Sequence, residues 1–283
     1  MKKNKKDKLS KILKNKIKDN KKSFIVYMIL RFLVIICMIR EVMIGNYSNA
    51  LLCVLSLILF LVPAFFERKF KVEIPALFEI IIMLFIFSAE ILGEINNFYH
   101  SIPYWDTILH TLNGFLCASV GFSLVYLLNE NSKQFNLSPI FVTLVAFCFS
   151  MTIGVLWEFF EYGMDVTFKT DMQKDTFISE VYSVEFDPKL DNNVISIKDI
   201  DSTIIYNEDG DIIRSVDNYL DVGLHDTMAD LIVNFIGAVV FSFLGYLYLK
   251  NQEKHKLAGR FIIHHAIWQK NKNIIIYSNE LRG

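Results

Sequence analysis

Proline and glycine are scarce in this chain of 283 residues, at five and twelve. So few helix breakers leave room for long uninterrupted helices. Cysteine is scarce too. Cys37, Cys53, Cys117 and Cys148 all sit inside apolar runs, which fits small hydrophobic side chains and excludes a disulfide framework. Net charge is almost absent, at −1, so no global excess of basic residues points to nucleic acid as a partner. A cleavable leader is not expected either. The first apolar run carries Arg31, Arg40 and Glu41 and lacks a small-residue cleavage site.

Apolar side chains are abundant instead. They make up 53% of the chain, with 25 phenylalanines, and mean hydropathy is +0.36. A soluble domain of this length would be less apolar. A helix needs about 20 apolar residues to cross a bilayer. Six windows qualify, near 24–44, 49–66, 74–95, 105–128, 138–162 and 226–249. The fold class expected is an all-α membrane bundle of about six transmembrane helices. Short connections make the first five neighbours.

Charge asymmetry along the chain sets an expected orientation. The first 22 residues hold eleven lysines and two aspartates. The loop ERKFKVE, the loop with Lys133 and the tail KNQEKHK fall on the same side. The segment from Gly163 to His225 is acidic, with fourteen Asp and Glu against five Lys and Arg. Basic loops stay cytoplasmic. The expected organisation is therefore a basic cytoplasmic tail (1–23), transmembrane helices 1–5 (24–162), an acidic extracytoplasmic loop (163–225), transmembrane helix 6 (226–249) and a basic cytoplasmic tail (250–283). This places the chain in the cell membrane with both termini inside. The runs NVISIKDI and STIIYNEDGDIIRSV, with NEDG as a hairpin turn, predict a small β-rich cap or a partly ordered acidic loop. RFIIHHAIW and NIIIY are expected at the cytoplasmic interface. There, His264 and His265 read as surface residues.

Ionisable groups in the apolar windows need a reason, since each costs about 2.5–3.5 kcal/mol at a helix centre. Here they are phased. Glu90 and Glu94 share a face of the third span, with Glu79 on that face but deeper. Asp106, His110 and Asn113 share one face of the fourth. Glu158, Glu161 and Asp165 end the fifth, and Asp226, Asp230 and Asn234 open the sixth at steps of four. With the expected orientation, all four clusters lie at outer helix ends. Carboxylates and an imidazole at one depth predict a divalent metal ion held by Asp106, His110, Glu158, Glu161, Asp226 and Asp230. Asp106 also reads as an orienter of His110. Arg40, Glu90 and Asn234 are candidate substrate-binding groups. Blander readings stand beside these. Asp106 and Asp226 suit helix caps, Glu94 and Asp165 suit the water interface, and Arg40 suits snorkelling. An interhelical hydrogen-bond network accounts for the rest without a ligand. Trp105 and Trp157 suit the outer aromatic belt.

The order of these motifs resembles the YjdF-like family of bacterial inner-membrane proteins, and more distantly VanZ-like membrane proteins. The likeness rests on Asp106 to His110 with Gly114 following, on Glu158 and Glu161, and on His225, Asp226 and Asp230. It covers about residues 50–249. The long acidic loop and the lysine-rich start depart from the pattern. The resemblance implies a multi-pass protein with an acidic polar site and supplies no reaction.

Three functions remain open. One is a metal-dependent hydrolase at the outer leaflet, with Glu158 or Glu161 as general base and a lipid or lipid-linked phosphate as substrate. Another is a non-catalytic membrane factor. The third is a cation-coupled transporter, against which the two halves carry no matching motifs and no spans broken by Gly or Pro. Membrane lipids are the expected partners, and nucleic acid is not.

Orientation is directly testable. With the native cysteines replaced, Ser10→Cys and Leu190→Cys should label from opposite sides of the membrane with an impermeant maleimide. Equal labelling of both from outside would refute the arrangement.

Overall fold

The computed structural model describes residues 21–131 and 137–265. The lysine-rich start, Lys133 and the NIIIY run lie outside the described residues. Six helices are long and apolar enough to cross a membrane: Lys21–Ile44, Tyr47–Phe70, Ala76–Ile95, Trp105–Asn129, Pro139–Phe168 and Leu224–Lys250.

The first is α1 (Lys21–Ile44). The second divides into α2 (Tyr47–Leu59) and α3 (Val62–Phe70), where Pro63 falls in the first turn of α3 and brings no amide. After β1 (Val72–Glu73) comes α4 (Ala76–Ile86), which continues as a π-helix over Phe87–Ile95. A short α5 (Phe98–Ser101) leads into α6 (Trp105–Asn131) and α7 (Pro139–Phe168).

The loop that follows carries three antiparallel strand pairs. β2 (Phe177–Ile178) pairs with β7 (Tyr219–Leu220), β3 (Val181–Ser183) with β4 (Ile195–Ile197), and β5 (Ser202–Tyr206) with β6 (Ile212–Asp217). The expected NEDG turn joins β5 to β6, where the Asn207 amide donates to the Asp211 carbonyl at 2.9 Å. Then come α8 (Leu224–Lys250), α9 (Lys256–Gly259) and β8 (His264–His265), which pairs with β1. A helical membrane bundle with short strands in its loop is thus what the chain forms.

The chain divides into two compact bodies, one of residues 155–232 and one of the rest. Within the larger, α1, α2 and the third span share a core of Leu30, Val34, Cys53, Met83 and Ile91. A second core joins α6, α7 and α8 through Phe122, Val142, Ala146, Ala238 and Phe241. Large apolar side chains on other faces, such as Phe32, Phe65 and Phe243, are exposed, as a lipid solvent permits.

The tightest contact is the crossing of α6 and α8. A methyl group on Gly114 would collide with the Asn234 carbonyl oxygen, and one on Gly237 with the Thr111 carbonyl oxygen. Backbones this close need small residues at the contact, the usual device where no hydrophobic effect presses helices together. Ser150 on α7 donates to the Gly114 carbonyl at 2.7 Å and ties in a third helix.

Two features depart from expectation. The third span is not regular. The Asn96 amide bonds the Ile91 carbonyl, five residues back, and the π-turn changes the phase of Glu90 and Glu94. The segment after α9 is buried where an interfacial position was expected. Ile262 is fully buried, and the Phe261 ring packs edge-on against Phe78 and Phe115 at 6.2 and 5.0 Å. Ser119 donates to the Phe261 carbonyl, and the Ile263 amide donates to the Ser123 hydroxyl at 2.9 Å. Two serines one turn apart on α6 thus satisfy extended backbone among apolar helices, the condition on which such backbone is tolerated there. His264 and His265 are half-buried in β8.

The glycine crossing yields a sharp test. Gly237→Val forces a branched side chain into the α6 backbone and should abolish the monodisperse peak in detergent size-exclusion chromatography. Gly163→Ala, which meets open space, should leave that peak intact. An intact Gly237→Val protein would show that the crossing is not close.

Candidate functional site

In the larger body, Asp106 and His110 stand one turn apart at the start of α6. His110 Nε2 lies 3.5 Å from Asp106 Oδ1, and the His110 side chain is only 11% exposed. Asp106 lies inside the first turn, where the helix dipole favours a carboxylate. Three residues deeper, Asn113 Nδ2 donates to Asn234 Oδ1 at 3.2 Å. Asn234 is 1% exposed and lies at the α6–α8 crossing. A fully buried carboxamide in a membrane needs such a partner. Its own Nδ2 rests 3.7 Å from the Met151 sulfur.

Arg40 belongs to a separate network. Its Nε donates to Glu41 Oε1 at 2.8 Å, and its Nη1 donates to Asn96 Oδ1 at 3.3 Å. Asn49 Nδ2 donates to the other Glu41 oxygen at 3.2 Å. Glu41 is buried, and a charge in that position persists only when paired. Glu79, expected deep on the acidic face, accepts from Ser23 at 2.5 Å. Glu90 is half-buried and Glu94 exposed, both on the π-helical stretch. Trp105 Nε1 donates to the Ser88 carbonyl at 3.3 Å.

In the smaller body, Glu158 and Glu161 lie on α7, both buried at 5% and 7% exposure. Trp157 Nε1 donates to Glu161 Oε1 at 2.8 Å, so this ring is a hydrogen-bond donor to the acidic face. Asp230 on α8 is buried at 4% exposure. Asp226 accepts from the Lys174 amide at 2.9 Å. It is one of three carboxylates that staple the loop to its helix ends. Asp165 accepts from the amides of Met172 and Gln173 at 2.7 and 2.8 Å. Asp221 accepts from the amides of Thr176, Gly223 and His225 at 2.8, 3.1 and 2.8 Å. Burial pushes the Asp221 carboxyl up, but those amides and His225 outweigh it and hold it below the usual carboxylate range. Gln173 Nε2 bonds Thr227 Oγ1 at 2.5 Å beside them.

Sequence reasoning missed Glu41, Asn49, Asp221 and Gln173. Arg40–Glu41 was visible as adjacent opposite charges at a span end. The loop staples had no local pattern.

Buried carboxylates, an imidazole and six apolar helices define a multi-pass membrane protein with an acidic interior. A family model described as "Predicted membrane protein (DUF2238)" matches residues 24–251, and the chain belongs to that family. The YjdF-like resemblance agrees with this assignment. The chain is also 30% identical over 103 residues to an uncharacterized protein of Thermotoga maritima. That stretch covers 36% of this chain and 52% of the relative, so the chain spans about half the relative's length. No solved structure matches.

Proposed function

We propose that the chain is a metal-dependent hydrolase of the cell membrane that acts on a lipid or lipid-linked phosphate, with both termini cytoplasmic. The ion would be held by Asp106 and His110 of α6, whose facing atoms lie 3.5 Å apart, with Asp230 of α8 the further ligand expected from helical period. One observation carries the reading. Asn113 and Asn234 are bonded across the glycine crossing. His110 lies three residues outward of Asn113 on α6, and Asp230 one turn outward of Asn234 on α8. Both helices run the same way from that point, so helical period alone brings these donors to one depth. A buried carboxylate such as Asp230 is costly unless hydrogen bonds or a cation offset its charge.

A mixed oxygen and nitrogen set suits Zn, Mn or Fe. When bound, such an ion would supply Lewis acidity and lower the pKa of a coordinated water toward about 7. Glu158 would take the water's proton. The water oxygen would bond to phosphorus as the P–O ester bond breaks, and Glu158 would pass the proton it took to the departing ester oxygen. Glu161, held by Trp157, would position Glu158's helix face, and Asp226 supports the loop. Arg40, given its tie to Glu41, would serve structure, with Glu90 and Asn234 at the margins of the site.

A second reading draws on the cap. Ile204, Ile205, Tyr206, Ile212 and Ile213 are all exposed on the β5–β6 hairpin. That surface suits a non-catalytic factor that binds a partner outside the membrane.

Metal analysis separates the two. Purified wild-type protein should hold about one divalent ion per chain. Asp230→Asn should bind at least as much more weakly as loss of an outer-shell partner would cause, roughly 10–100-fold. Glu158→Gln should keep the ion and lose hydrolysis. Wild-type protein without metal after loading, or Asp230→Asn with full occupancy, would contradict the hydrolase reading.

A further inference from the structure

The end of α6 that bears Asp106 and His110 is flanked by two apolar grooves. One, of about 370 Å³, runs between α6 and α8 past Thr107, Ile108, Leu112, Gly237 and Val240. The other, of about 350 Å³, runs between α4 and α6 past Leu84, Phe85, Ser88, Trp105 and Leu112. Both reach the size range of small-ligand sites. Both share Ile108 and Leu112, which form the ridge between them. Thr107 lines the first groove and Trp105 the second. Thr107 and Trp105 are the two residues on either side of Asp106.

We propose that a two-chain lipid phosphate straddles α6, with one acyl chain in each groove and its phosphate at the Asp106–His110 end. Nearly equal grooves on both sides of one ridge suit two chains of similar length. A single long isoprenoid would leave one groove unfilled. The walls are apolar and lie within the spans, so only hydrocarbon can occupy them without stranding a polar group. At that end of α6, a phosphate complements a cation on Asp106 and His110. The inference rests on the metal reading for its headgroup end but not for its chains. The arrangement makes α6 a specificity element, with the Ile108–Leu112 ridge selecting lipids by chain number.

Native mass spectrometry of the full-length protein in mild detergent tests this. Dioleoyl phosphatidate, its single-chain lyso form and undecaprenyl phosphate are added at equal concentration with manganese. The two-chain lipid should be retained at least roughly tenfold better than either competitor. Val240→Trp or Leu84→Trp, each at the rim of one groove, should convert that preference to the lyso form. Ile108→Trp, at the shared ridge, should remove retention of both. Phe243→Ala, which trims an exposed side chain that lines neither groove, should retain the two-chain preference and so control for folding. Equal retention of all three lipids, preference for undecaprenyl phosphate, or indifference to the tryptophan variants would overturn the proposal. Metal bound in the same samples with no chain-number preference would sink the straddle and leave the hydrolase reading intact. The preference without bound metal would do the reverse.

Discussion

The close crossing of α6 and α8 is the constraint on which the polar interior depends. Gly114 and Gly237 let the two backbones touch, and the touching backbones hold Asn113 and Asn234 within hydrogen-bond reach. Hydrocarbon offers no water to satisfy a carboxamide that slips out of register. The asparagine pair therefore sets the register, and the glycines permit it. Ser150 adds α7 through the Gly114 carbonyl. His110, a turn from Asn113 on α6, inherits its depth from this contact.

Charge is handled locally elsewhere. Glu41 is buried with Arg40 and Asn49 around it, and Glu79 is met by Ser23. In the loop between α7 and α8, Asp165, Asp221 and Asp226 accept backbone amides at short distance. These groups stabilise chain direction where the helices end and short strands begin. The acids of the spans thus divide by role. Some close networks with a neighbour, while Asp106 lies one turn from the imidazole of His110 on α6.

The spans were legible because hydropathy and length alone define them, and the loop turn because NEDG has its own backbone chemistry. Asp106 with His110 was legible from a four-residue step on one helix. The π-turn at Phe87–Ile95 was not, since the run SAEILGEI carries helical spacing on either phase. Burial of Phe261–Ile263 was hidden for a different reason. It depends on Ser119 and Ser123, more than a hundred residues earlier, to satisfy extended backbone. Asp226 was readable as a ligand or a cap. Its bond to the Lys174 amide arises from the loop's return path, which no local period encodes.

We propose that a metal ion sits at the end of α6 whose register the Asn113–Asn234 bond sets. A structure of the protein loaded with manganese, with anomalous scattering recorded at the manganese edge, tests it most directly. One peak within coordination distance of Asp106 and His110 is expected. A peak elsewhere in the protein, or no peak with the Asn113–Asn234 bond intact, would contradict it.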